Sequence, residues 1–172
     1  MTNKEFFIQC WQNELPRTVN LLTAMPEADK LSYRPAPKNR SAKELVNHIV
    51  AHVEDLIEAT KDGVLNHRAL ADYGTTENAI KVFEEESARL VDLLNKTDDG
   101  TWDNSSINMN VLGNKIMDGS LGTFCWMFLY DVIHHRGQLS TYVRPMGGVQ
   151  PMIYGPTAEM TEAMIAQMAS AN

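Results

Sequence analysis

Two pairs of residues in this 172-residue chain have the side chains and the spacing for chemistry: His48 with His52, and Asp131 with His135. In a helix, residues four apart project only about 40° from one another, so each pair presents two potential ligands side by side. His135 shares an apolar stripe with Phe128, Val132, Leu139 and Tyr142 and is expected to point inward, carrying Asp131 with it. An ionised aspartate inside a helical protein is costly unless it is paired or bound to a metal. A divalent cation satisfies the carboxylate and the imidazole together. His48 and His52 border a second stripe, Leu45, Ile49 and Leu56. With helix axes ~8–10 Å apart, ligands from two helices can meet at one ion. Two imidazoles and one carboxylate make a facial triad that leaves coordination positions open, and the ion would polarise the water or substrate that fills them.

Each of these residues also has a purely structural role open to it. His52 reads as a hydrogen-bonded core histidine, and Asp131 as a partner of His135, of Arg136 or of a helix terminus. His134 lies about 100° around the helix from His135, beside Tyr130, Gly137 and Thr141, which suits a rim position better than ligation. His67 falls in a loop and reads as solvated. Arg136 and Gln138 stand between substrate contact or ligand orientation on one side and a surface salt bridge and a buried amide on the other. Trp11, Trp102 and Trp126 read as packing residues.

The elements that must position these side chains are helical. Thr2 caps a first helix with the stripe Ile8, Trp11, Leu15, Val19 and Leu22, and Pro16 within it predicts a kink. A proline-rich loop, Tyr33 to Arg40, precedes Ser41-Ala-Lys-Glu44, a capping box that opens a second helix reaching about Thr60, before Gly63. Thr75-Thr76 opens a third, with the stripe Ile80, Phe83, Ser87, Leu90, Val91 and Leu94. Ser120 caps a fourth, from Leu121 to about Arg144, stopped by Pro145-Met-Gly-Gly148. The 24-residue connection from Thr97 to Ser120 is too long to be structureless in a small domain, and an extended segment is expected at Ile107 to Val111. A short last helix starts at Thr157, and its Met160, Met164 and Met168 read as a core-packing stripe. No β alternation is sustained. The expected fold is all-α: one domain over residues 1–172, a four-helix bundle with a short extra C-terminal helix.

Fifteen basic against 22 acidic residues give a net charge of −7, which repels phosphate backbones and anionic membranes, so neither nucleic acid nor a membrane surface is an expected partner. The longest apolar run, Phe124 to Tyr130, is too short to span a bilayer. The N-terminal residues carry no secretory pattern. Cys10 and Cys125 lie in apolar helical patterns without redox or zinc-knuckle spacing and read as free thiols of a cytoplasmic protein. A ferritin-like di-iron site needs Glu-x-x-His on two helices, whereas Glu44–His48 and Asp131–His135 are spaced by four. Dinucleotide binding lacks a glycine-rich loop, and a serine or cysteine nucleophile lacks an elbow.

The segment His134-His-Arg-Gly-Gln-Leu-Ser-Thr-Tyr-Val-Arg144, continuing into Pro145-Met-Gly-Gly, resembles the fourth-helix signature of the DinB family of metalloenzyme-like proteins, which is unrelated to the DNA polymerase sharing that name. Tyr33-Arg-Pro-Ala-Pro leading into Arg40-Ser-Ala-Lys-Glu-Leu-Val-Asn-His48-Ile, and the tail Ile153-Tyr-Gly-Pro-Thr, resemble the same family. The resemblance implies an up-down-down-up bundle, often a homodimer, holding a divalent metal (Zn, Ni, Mn or Fe) between helices two and four. Its first ligand matches His48 and its last His135. Many members carry a third histidine four residues before the last, where this chain has Asp131, giving the expected ligand set His48, Asp131 and His135 with His52 or His134 as substitutes for the aspartate. For activity, the resemblance implies a metal-dependent transferase or isomerase that takes a small-molecule substrate and a low-molecular-weight thiol, with a non-catalytic stress-response bundle as the alternative.

Overall fold

Four side-chain oxygens, one just before each long helix, fix where the bundle's helices begin. In the computed structural model, which describes residues 1–170, helix α1 (Asn3–Thr23) starts behind Thr2 and α2 (Ala42–Asp62) behind Ser41, each with a reciprocal capping box, Thr2 with Glu5 and Ser41 with Glu44. Helix α3 (Thr76–Lys96) follows Thr75, whose hydroxyl accepts from the Asn78 amide. A short α4 (Asp99–Asn104) precedes α5 (Leu121–Ser140), capped by Ser120, and α6 (Ala158–Ser170) ends the described chain. Ala171 and Asn172, the last two residues of the expected 1–172 domain, lie outside the described residues.

Helices α1 and α2 are each flanked by α3 and α5, so the four long helices form a closed ring around the core. Helix α2 is the most deeply embedded of them. Leu45, Ile49, Val53 and Leu56 are at most 1% exposed, and full burial of each contributes roughly 1.5–3 kcal/mol. The polar residues Asn47, His48, His52 and Asp55 are buried on the same helix. At one end of the ring Trp11, Trp102 and Trp126 cluster around Phe7, the last of them edge to face, and Asn3 Oδ1 accepts from both Trp102 Nε1 (3.0 Å) and Trp126 Nε1 (2.9 Å). Gly122 is required there, because a Cβ would lie 2.7 Å from Trp102 Nε1.

The structure corrects several expectations. A small sheet is present: β1 (Val64–His67) pairs in parallel with β2 (Ile107–Val111), which pairs antiparallel with β3 (Asn114–Gly119). The expected extended segment is therefore the middle strand of three. Its partners were hidden because all three strands are short and rich in polar residues, and because β1 begins directly after Gly63, whose φ of +68° ends α2 in a left-handed cap. The β2–β3 turn is Leu112-Gly113, both at positive φ (49° and 79°), as a type I′ hairpin requires, but leucine is an unusual residue for its first position. Helix α1 runs unbroken through Pro16, which is exposed. Helix α5 stops at Ser140, and tighter turns carry the chain on to Gly147. The methionine stripe does not pack in the core: α6 has no buried residue, and Met160, Met164 and Met168 are 41%, 51% and 65% exposed. Spacing defines a face but not what the face meets.

Candidate metal centre

Helices α2 and α5 pack against each other, and the two residue pairs meet across that seam. Asp131 is the hub. Its Oδ2 lies 2.8 Å from His52 Nε2 and 3.6 Å from His48 Nε2, and its Oδ1 lies 3.3 Å from His135 Nε2. The donor atoms of all four residues lie within 4.8 Å of one another. The three imidazoles are 2–13% exposed and the Asp131 side chain 37%, so the cluster is closed on the histidine side and open at the carboxylate. Of the expected set, His48, Asp131 and His135 come together. His52, expected as an ordinary core histidine, joins them and makes the shortest contact to the aspartate. His134 is exposed at the rim, where its Nε2 pairs with Gln138 Nε2 at 2.9 Å.

Electrostatics suit a ligand set. Burial pushes the His48 imidazole down to about 4 against the opposing pull of Asp131, and it lowers His52 as well, so both are neutral at pH 7. Burial alone would raise the Asp131 carboxyl, but hydrogen bonds from His135, His48 and His52 outweigh it and hold the group far below the usual carboxylate range. The site thus offers neutral nitrogens and an ionised oxygen, the protonation states metal binding needs.

Gln138 adds a constraint on His135. Its Oε1 lies 2.8 Å from His135 Nδ1, and a carbonyl oxygen only accepts, so Nδ1 carries the proton. His135 Nε2 then faces an ionised carboxylate oxygen 3.3 Å away. Either a proton on Nε2 or a metal ion between the two satisfies that pair. The three nitrogen–oxygen separations also bracket the edge, ~3.3 Å, of a tetrahedron with arms of about 2.0 Å. Three imidazoles and a carboxylate fit a first-row divalent ion.

Three further residues shape the site. Phe128 stacks on the His52 ring (centroids 4.4 Å apart, planes 23°) and fixes its plane. Asp55, fully buried, accepts from His67 Nδ1 (2.7 Å) and from Arg68 Nη1 (2.6 Å). His67, expected in solvent, is instead the last residue of β1, with its side chain only 9% exposed and its ring centroid 5.1 Å from that of His48. Asp55 lies three residues after His52 and seven after His48, so the helical repeat alone would have placed it on their face. His52, Asp55 and His67 also bring donor atoms together, but the guanidinium on Asp55 already neutralises that carboxylate. A cavity of about 430 Å³ opens onto the cluster, walled by Met109, Met127, Phe128 and Tyr130. Neither cysteine lines it, and burial raises the Cys125 thiol well above its ordinary value.

Arg136 follows His135 in sequence but faces the opposite seam. It is 1% exposed, with Nη2 2.5 Å from Glu14 Oε2 and Nη1 3.2 Å from the Thr18 hydroxyl, and Tyr154 closes over it. The expected surface salt bridge is therefore an internal one, tying α5 to α1.

With its helical fold and this His/Asp cluster, the chain belongs to the DinB family, whose model matches residues 1–168. It is 25% identical over 135 residues to the uncharacterized protein YjoA of Bacillus subtilis (strain 168), covering 78% of this chain and 86% of YjoA. The crystal structure of that DinB-like protein superposes with a TM-score of 0.65 at 21% identity, covering 88% of this chain and 99% of the other. A DinB-like protein from Bacillus cereus ATCC 10987 gives a TM-score of 0.67 at 19% identity, covering 87% and 97%. These likenesses establish the fold.

Proposed function

We propose that the chain is a metal-dependent enzyme in which His48, Asp131 and His135, with His52 beside them, hold a divalent zinc, nickel, manganese or iron ion. The observation that carries this is the convergence of three largely buried imidazoles on one ionised carboxylate, with the donor atoms of all four residues within 4.8 Å of one another. A bound ion supplies Lewis acidity and lowers the pKa of a coordinated thiol or water. The chain's own residues do the rest. Met109, Met127 and Phe128 wall off solvent, Phe128 and Gln138 hold the imidazole planes, and the half-open Asp131 leaves one side for a small-molecule substrate. With both cysteines away from the cavity, the nucleophile is external, either a low-molecular-weight thiol, giving a thiol-dependent transfer or isomerisation, or water.

The protein as purified from a metal-replete medium is expected to carry nearly one divalent ion per chain by elemental analysis, and His135→Ala to lose most of it. Absence of metal, even after incubation with each ion in turn, overturns the assignment. One observation favours a rival, a non-catalytic stress-response bundle: His48 Nδ1 and His52 Nδ1 are buried without hydrogen-bond partners among the described residues. Ligating imidazoles ordinarily donate that proton, whereas imidazoles donating Nε2–H to Asp131 would leave Nδ1 bare. That rival predicts changed stability in His48→Ala and His135→Ala with metal content at zero throughout.

Two further parts of the proposal concern assembly. One hydrophobic cluster runs from Phe7 to Met146, which supports a single domain. Helix α6 carries Met160, Met164 and Ile165 on exposed surface, and a 13-residue helix is marginal in water without a covering partner. A second copy of the chain is the proposed cover, giving a homodimer.

A further inference from the structure

A cleft of about 720 Å³ lies on the other side of His48, between the segment Arg34 to Glu44 and the loop from Arg68 to Asp72. His48 lines both this cleft and the smaller cavity at the metal centre, so the two adjoin at one imidazole. The charge of the cleft is opposite to that of the whole chain. Arg34, Lys38, Arg40, Lys43 and Arg68 line it, five of the 15 basic residues, against Glu44 and Asp72, two of the 22 acidic ones. Concentration of positive charge in a concave surface of a protein at −7 focuses an attractive field for anions there.

Internal pairing covers only part of that charge. Lys43 pairs with Asp72 at 2.9 Å, Arg34 with Glu44 at 3.4 Å, and Arg68 with Asp55 at 2.6 Å. Among the described residues no ion pair engages Lys38 or Arg40. Both are exposed on the proline-rich loop, whose Pro35 and Pro37 restrict the backbone and so lower the entropy lost on holding a ligand. Asn39 and Asn47 add neutral hydrogen-bonding groups beside them.

We propose that this cleft binds the anionic end, carboxylate or phosphate, of a small molecule whose other end reaches past His48 to the metal centre. The placement rests on the metal-centre assignment above, but anion binding in the cleft does not. Lys38 and Arg40 are the primary contacts, and the paired Arg34 and Lys43 add field. A ligand of this form has one charged end and one reactive end, matched by two adjoining cavities, one basic and one largely apolar.

The test titrates the full-length protein with succinate and with inorganic phosphate, using neutral succinamide as the control and following binding by calorimetry and by amide chemical shifts. Saturable binding of either anion but not of succinamide is expected, weakened by added salt and by about tenfold in the variant Lys38→Gln, Arg40→Gln. The two anions separate a carboxylate from a phosphate source. His135→Ala should retain the binding. Because Lys38 and Arg40 are exposed, their replacement leaves the core intact, and an unchanged metal content in that variant shows that the effect is local. Binding no stronger than that of succinamide, or undiminished in the double variant, overturns the proposal. A protein that binds the anion but takes up none of the divalent ions would overturn the metal centre alone.

Discussion

Asp131→Asn is the sharpest probe of the centre, because it keeps the shape of the side chain and removes its charge. The Asp131 oxygens contact three imidazoles at 2.8, 3.3 and 3.6 Å, and no other carboxylate belongs to that donor group. Altering only the groups that orient metal ligands costs about 10–100-fold in affinity, so loss of the anionic ligand itself is expected to cost at least about 100-fold. At a metal concentration of about 100 times the dissociation constant, binding stabilises the wild-type fold by about 2.7 kcal/mol. For a chain of this size that corresponds to a rise in Tm of roughly 5–11 °C. The variant at the same concentration should gain only about 0.4 kcal/mol, a rise of roughly 1–2 °C. Differential scanning calorimetry of metal-stripped protein, with and without each ion, reads both numbers. An equal metal-induced shift in wild type and variant would refute Asp131 as a ligand. No shift in either, with the metal-free variant about 1.5–3 kcal/mol less stable, would identify the cluster as a hydrogen-bonded one.

Other outcomes follow from the same contacts. Because His48 titrates near 4 when folded but near 6.5 when unfolded, the unfolded chain takes up the extra proton, and metal-free protein should lose about 3 kcal/mol as pH falls from 6.5 to 4; urea midpoints across that range would be flat if the imidazole were solvated. Replacing Arg136 by Met leaves Glu14, whose side chain is 15% exposed, with only Arg17 at 3.4 Å and the Tyr154 hydroxyl, and is expected to cost about 1.5–3 kcal/mol, with part of the loss recovered in Arg136→Met, Glu14→Gln. Equal denaturation midpoints for wild type and Arg136→Met would contradict that. For assembly, light scattering should give twice the chain mass, and Met164→Glu with Ile165→Glu should give monomer. A wild-type monomer would remove the homodimer.

The four long helices were legible because their starts are set by local chemistry: Thr2, Ser41, Thr75 and Ser120 each bond an amide within three residues. His48, Asp131 and His135 were legible for a similar reason, since a polar residue inside an apolar stripe needs a partner. Asp55 was within reach of the helical repeat, but His67 was not, because it arrives as the last residue of β1, a strand whose partner β2 lies more than 40 residues away. The role of Arg136 was hidden likewise, since Glu14 lies 122 residues away. The stripe of α6 was read correctly as a face and wrongly as a core face, because periodicity carries no information about what lies opposite.

The internal pair of Arg136 with Glu14 has a consequence for how the centre is assembled. Successive residues on a helix point about 100° apart, so anchoring the guanidinium on α1 sets the angle at which the neighbouring imidazole leaves α5 toward α2. Rotational freedom of α5 is thus removed by a clamp that contains no metal ligand. On the metal-centre reading, the ligand geometry is then set by the fold before any ion is present, and ions should enter and leave a finished socket instead of folding one around themselves.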